Sequence, residues 1–169
     1  MAGKATPGLP LLFTVAIAAL VADQLSKYAV EKFTAPGSER ILIPGVLNLL
    51  HTSNPGVAFG LFAGSANPWK PLLLIGFSIA VIAMLVWLLV TDRAGSSLGR
   101  YGIALILGGA AGNVLDRWSR HSVTDFIDFY VGRYHWYTFN IADSAIVIGA
   151  ALVVLALFRD GKQPTQARA

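Results

Sequence analysis

The 169-residue chain contains no cysteine, which excludes thiol catalysis, disulfide bonds and cysteine-ligated metal centres. Charge is also scarce: charged side chains make up 13% of the sequence, against roughly a quarter in an ordinary soluble domain. The three histidines, His51, His121 and His135, are not paired at ligand spacing, so no zinc site is expected and no cofactor is called for. They read as interfacial loop residues. Bases outnumber acids and leave a net charge of +4. Because the bases are scattered between apolar stretches and form no stripe, a membrane surface explains them better than nucleic acid.

What the sequence does have is apolar length. Hydrophobic residues make up 55% of it and the mean hydropathy is +0.62, the composition of an integral membrane protein. Residues 71–90 form a run of 20 without a charge, enough to cross a hydrocarbon core of roughly 30 Å. Residues 9–22 are apolar and continue helically through DQLSKYAV; 98–115 are interrupted only by Arg100 and 141–158 only by Asp143. Four transmembrane helices are predicted, at about 9–29, 71–91, 98–116 and 141–158, in a single domain over 1–169 with a frayed polar tail at 160–169. A competing reading takes the first segment as a cleavable signal peptide. Against it, Asp23 and Lys27 stand at i,i+4 in the order that favours a helical ion pair, so the helix is expected to continue.

An even number of spans places both termini on one side of the membrane. The two polar connections, about 30–70 and 117–140, then share the other side. Lys and Arg number six on the side of the termini and seven opposite, so the positive-inside count does not settle orientation. Counting the acids too leaves the terminal side the more positive, a slight preference for placing it in the cytoplasm. The first connection carries ILIPGVLNLLHTSNPGVAFGLF, with branched and aromatic residues between Pro-Gly turn signals. It reads as short strands forming a small sheet on the membrane surface. Tyr130, Tyr134, Trp136 and Tyr137 in the second connection are rings suited to headgroup level.

The alternation of spans brings the polar residues to one face. Asp23 ends the first helix, Asn113, Asp116 and Arg117 end the third, and Asn140 and Asp143 begin the fourth. Asn54 and Asp125 belong to the connections on that same face. Carboxylates so close to a bilayer are functional candidates, and two held about 3 Å apart share one proton, a pairing suited to amide hydrolysis. Asp143, near a helix N-terminus with Asn140 as a possible cap, leans towards base; Asp125, among Val123, Phe126 and Ile127, leans towards acid. The alternatives are a capping role for Asp143 and a loop carboxylate at Asp125 paired with Arg117 or Arg120. Asp128 is chemically as good a candidate as Asp125. Ser26 and Lys27, adjacent on a helix, do not face each other and make a poor dyad.

Five ordered blocks, DQLSK (23–27), NPGVAFG (54–60), GGAAGNVLDR (108–117), VTDFIDF (123–129) and FNIADSAI (139–146), resemble the motifs of bacterial lipoprotein signal peptidase, signal peptidase II. The resemblance spans about residues 10–160. It implies a mainly α membrane protein with four transmembrane helices, a small periplasmic β-sheet and a short interfacial helix. The implied activity is that of an aspartic endopeptidase, working without metal or cofactor at the periplasmic side of the inner membrane, with both termini cytoplasmic. Its implied substrate is a diacylglyceryl-modified prolipoprotein, cut immediately before the lipidated cysteine. The resemblance makes Asp125 and Asp143 the catalytic pair. It matches Asn54, Asn113, Arg117 and Asn140 to substrate-binding pocket residues and Asp23 and Lys27 to a first-helix motif. Arg117 is open between substrate contact and buttressing Asp116 or the loop backbone. Membrane lipid is an expected partner, its chains lying between helices near Gly108, Gly109 and Gly112 unless those glycines serve tight helix packing. The protein is expected to act as a monomer.

Two other classes compete. A transporter should carry polar residues deep in several spans, whereas Thr14, Ser78 and little else interrupt the apolar centres here. A membrane scaffold would not explain two carboxylates beside one pocket.

Overall fold

A computed structural model describes residues 6–56 and 69–160. Four helices account for most of them: α1 (Leu9–Phe33), α2 (Lys70–Val90), α3 (Ser97–Arg120) and α4 (Ile141–Asp160). Each is long and apolar enough to cross a membrane. They fall where the hydropathy places them, with α1 and α3 each running about a turn further than the apolar stretch. The first helix is continuous through the Asp23–Lys27 pair. α1 starts at a proline-containing first turn, where a missing N–H costs nothing, and ends at Thr34 in extended conformation. α3 ends at His121, whose φ of 60° is the left-handed stop for a helix.

Helix α3 is the hub, packing against α4, α1 and α2. A cluster of Leu12, Ala16, Leu85, Leu89, Ile103, Ala104 and Leu107 forms the apolar centre where α1, α2 and α3 meet. The outward residues of α2, among them Leu72, Leu73, Phe77 and Met84, are exposed, as suits a helix whose solvent is hydrocarbon. Glycine decides how closely the hub is approached. A Cβ at Gly109 would run into the carbonyl of Ala142 on α4, and one at Gly112 into the carboxylate of Asp23 on α1. These two glycines serve helix packing rather than a lipid chain. Gly108 takes Ala16 of α1 against its backbone and also borders an apolar groove of about 190 Å³ between α1, α2 and α3.

At the end of the bundle where α1 and α3 finish, the connections form a four-stranded antiparallel sheet ordered β1 (Glu39–Ile43), β2 (Leu47–Asn54), β3 (Val123–Val131) and β4 (Tyr134–His135). Strands β1 and β2 come from the aliphatic runs on either side of the Pro44-Gly45 turn, where Gly45 has a φ of 82°, and β3 and β4 from the second connection. Residues 57–68 of the first connection and, of the expected tail at 160–169, all but Asp160 lie outside the described residues; Asp160 is the last residue of α4. The short interfacial helix is not among the described elements. Strand β3 is held on both sides near its start. Thr52 of β2 pairs with Asp125, while Phe139 exchanges hydrogen bonds with Ile127 on the other side. That second pairing delivers the next residue, Asn140, to the side of Asp125 just as α4 begins.

Candidate active site

Successive residues of a strand point to opposite faces, so Asp125 and Asp128, three apart on β3, cannot share a site. Asp128 lies with Asn48, whose Nδ2 donates to Oδ2 at 3.0 Å, and with His135 Nδ1, 3.0 Å from the same oxygen. Asp125 points to the bundle instead. It is 2% exposed and accepts hydrogen bonds from Asn54 Nδ2 at 2.9 Å and Asn140 Nδ2 at 2.7 Å, one on each oxygen.

Asp143 occupies the third position of α4, and its geometry confirms the capping alternative without removing it from the site. Asn140 Oδ1 accepts from the backbone N–H of Asp143 at 2.9 Å, while Asp143 Oδ2 accepts from the backbone N–H of Asn140 at 3.3 Å. This is a reciprocal capping box built with Asn and Asp. Asp143 Oδ1 is left for Asn113 Nδ2 on α3, 2.9 Å away. Through Asn140, which touches both, the two aspartates become neighbours in one hydrogen-bonded assembly. Arg117 and Arg120 do not pair with Asp125: Arg117 donates to the carbonyls of Gly56 and Asn113 at 3.0 and 3.1 Å, and Arg120 is bound to Glu31 and Asp116.

Of the two roles open to Arg117 at the outset, buttressing the loop backbone is therefore realised, while Asp116 is engaged elsewhere. The Gly56 carbonyl it grips belongs to the turn in which Gly56 N–H donates to Asn54 Oδ1 at 2.9 Å. Arg117 thus steadies the asparagine that faces Asp125. Its own Nε is buried without a partner among the described residues.

Beneath the aspartates lies an ionic layer whose extent the sequence did not reveal. Lys27 Nζ stands 2.8 Å from Asp23 Oδ2 and 2.6 Å from Asp116 Oδ2, all three side chains being 0% exposed. The ammonium hydrogen-bonds Asp23 and, at 3.1 Å, Asn113 Oδ1. Its contact with Asp116 Oδ2 is short but off the hydrogen-bonding directions, an ionic contact only. Asp23 Oδ1 accepts the N–H of Ala142 at 2.9 Å, satisfying a free donor in the first turn of α4. Gln24 joins the layer by donating to Asp23 and Asp116; sequence reading passed over it, although its place beside Asp23 on the polar face of α1 was a usable signal. Ser26 Oγ donates to the Asp23 carbonyl at 2.7 Å and is committed to its own helix.

The electrostatics follow from this arrangement. Burial pushes the Asp125 carboxyl up to about 6, the hydrogen bond from Asn54 works against the rise, and the nearby Asp143 adds to it. Hydrogen bonding by Asn140 and the positive field of Lys27 also oppose it. A carboxyl so placed exchanges its proton near neutrality, the requirement for an acid or base working there. Among the described residues no group of three His, Asp or Glu is placed to hold a metal ion.

Comparison with known proteins identifies the family. Residues 15–159 match the family model described as Signal peptidase (SPase) II. The lipoprotein signal peptidase of Solibacter usitatus (strain Ellin6076) is 41% identical, the alignment covering 87% of this chain and 91% of the relative. That of Escherichia coli O6:K15:H31 is 40% identical, covering 94% and 95%. A bacterial membrane enzyme solved by the in meso method at 2.3 Å superposes with a TM-score of 0.84 at 28% identity, over 97% of both chains. With buried aspartates at the mouth of a four-helix membrane bundle and a family match over most of its length, the chain belongs to the signal peptidase II family of aspartic peptidases.

Proposed function

We propose that Asp125 and Asp143 are the catalytic pair with which this chain hydrolyses prolipoproteins at the bond before a diacylglyceryl-modified cysteine. The observation that carries the reading is the single Asn140 side chain and backbone that binds both carboxylates, at 2.7 Å to Asp125 and 3.3 Å to Asp143. Two acids so coupled titrate as a pair, with one proton between them near neutrality.

The ionised carboxylate takes a proton from water as its oxygen attacks the scissile carbonyl, while the protonated partner gives its hydrogen to the carbonyl oxygen. The proton held by the base then passes to the leaving nitrogen, and as the C–N bond breaks one hydroxyl of the tetrahedral intermediate returns its proton to the former acid, so that the new carboxyl group forms and the pair again holds one proton. Asp143, half-buried at the positive end of α4, is the better seat for the negative charge. Asp125, closed into the sheet with its proton affinity raised, is the acid. Asn54 and Asn140 orient Asp125. The Nε of Arg117, buried with no partner among the described residues, supports a further role in holding a substrate carbonyl, since an unpaired buried N–H is costly unless a ligand satisfies it.

A signal peptide arrives as a helix whose scissile bond must unwind in a medium offering no water to its backbone. The side chains of the pocket take over those hydrogen bonds. We place the site at the periplasmic face of the inner membrane, with both termini in the cytoplasm and the enzyme acting as a monomer among membrane lipids. The test is cleavage of a lipid-modified precursor by purified Asp125→Asn and Asp143→Asn variants, each checked for folding. Near-wild-type turnover in either removes that residue from the pair.

A further inference from the structure

Three asparagines present N–H groups to the two aspartates, and each does so only with its side-chain amide one way round. A carboxamide carries a carbonyl acceptor on one arm and an NH2 donor on the other. A half-turn would set acceptor against acceptor at the carboxylate. A donor-only neighbour on the carbonyl arm removes that choice. For Asn54 the neighbour is the backbone N–H of Gly56, and for Asn140 it is the backbone N–H of Asp143. For Asn113 it is a side chain, Lys27, whose Nζ donates to Oδ1 at 3.1 Å. Asn140 Nδ2 also approaches that oxygen, but at 3.4 Å and shared with Asp125 and the Thr124 carbonyl.

Resting on the catalytic reading of Asp125 and Asp143, we infer that Lys27 is a positioning residue: clamped between Asp23 and Asp116, its ammonium fixes the Asn113 amide so that Nδ2–H points at Asp143. Lysine suits this task because it has three donors, no acceptor and a compact head. A buried ion pair that only stapled α1 to α3 would need no third contact. The third contact goes to the one asparagine whose orientation no backbone N–H secures. The charged groups facing Lys27 and the aspartates from all packed elements are Asp23 and Glu31 on α1, Asp116, Arg117 and Arg120 on α3, Asp125 on β3 and Asp143 on α4.

The experiment is a double-mutant cycle on the full-length enzyme in detergent, with Lys27→Met, Asn113→Ala and the two combined, assayed on a diacylglyceryl-modified precursor across pH. Lys27→Met is expected to lower kcat roughly 100-fold with little change in KM, the scale of a misplaced reacting group. It should move the pH profile to higher pH, because Lys27 opposes the proton on Asp125. In the Asn113→Ala background the same substitution should cost little more, since no amide is left to orient. A folded Lys27→Met enzyme with wild-type kcat and pH profile, or losses that simply multiply, overturns the inference.

If Lys27→Met does not fold, wild-type protein labelled with nitrogen-15 asparagine decides. The Asn113 NH2 pair, identified by its loss in Asn113→Ala, should shift as the aspartates titrate; indifference to pH would place the carbonyl towards Asp143 and refute the orientation. The two readings fail separately. Active Asp125→Asn or Asp143→Asn enzyme sinks the catalytic pair, whereas inactive aspartate variants beside a normal Lys27→Met enzyme sink only the role of Lys27.

Discussion

Two layers of this molecule each hold a pair of aspartates, and they differ in what lies between the carboxylates. In the lower layer Asp23 and Asp116 flank an ammonium, Lys27. In the upper layer Asp125 and Asp143 are joined through neutral amides, Asn140 above all. A cation between two buried carboxylates offsets part of their desolvation and their mutual repulsion. Neutral donors can orient carboxylates but cannot cancel their charge, so the upper pair is left to compete for a proton. The same residue type thus suits a scaffold in one place and, on the proposed reading, acid–base chemistry in the other, according to whether lysine or asparagine occupies the middle.

The sharpest way to break the comparison is to exchange carboxylate for amide in each layer. Asp125→Asn or Asp143→Asn should lower kcat/KM by about 10⁴-fold, the scale for removing a member of a catalytic unit, while leaving a folded protein. Asp116→Asn should mainly affect stability, because it leaves Lys27 with one carboxylate fewer; thermal unfolding alongside the cleavage assay separates the two outcomes. Next in size is Gly112→Ala. The added methyl collides with the Asp23 carboxylate, and overpacking of this kind costs about 1–3 kcal/mol. A lowered unfolding midpoint is expected, together with reduced turnover because Asp23 also caps α4. A variant as stable as the parent would show that α1 can retreat from α3 without penalty.

Much of this was legible in the residues. Long uncharged runs are a near-complete statement about helices in a bilayer, and counting spans then puts Asp23, Asn113, Asn140 and Asp143 at one end. The Asp23–Lys27 spacing predicted an ion pair that the structure contains. That Asp125 and Asp128 cannot share a site was also within reach of the sequence, had VTDFIDF been read as a strand: a spacing of three puts them on opposite faces. Two things were beyond it. Lys27 reaches Asp116 and Asn113 across 86 or more positions of chain, a contact set by how glycines let α1 and α3 approach, and no local pattern reports that distance. The bridging role of Asn140 likewise depends on Phe139 pairing with β3, a register that nothing within FNIADSAI specifies.

The upper layer should also reveal itself through the pH dependence of stability. Asp125 has a folded-state pKa of about 6, above its ordinary value of 3.8. Between those values the folded protein binds more protons than the unfolded one, so this group's contribution favours folding at low pH and declines as pH rises from about 4 to about 6. The difference between wild type and Asp125→Asn isolates this contribution. Unfolding midpoints in detergent should fall with rising pH across that window more steeply for wild type than for the variant. Parallel curves would mean that Asp125 is as easily ionised as an exposed acid.

The smallest effect is expected on the far face of the same strand. Asp128 has the histidine that Asp125 lacks: His135 contacts it and stacks on Tyr130 with ring centroids 4.8 Å apart. With His135 half exposed to solvent, such a pair contributes no more than about 1 kcal/mol, and neither side chain reaches the bundle. Asp128→Asn retains an acceptor for one of its two partners and should keep kcat within a few-fold of wild type, with a slightly lower unfolding midpoint. A large loss of turnover at normal stability would mean that the sheet transmits strain from one face to the other. The division between a chemical face and a structural face of β3 would then have to be abandoned.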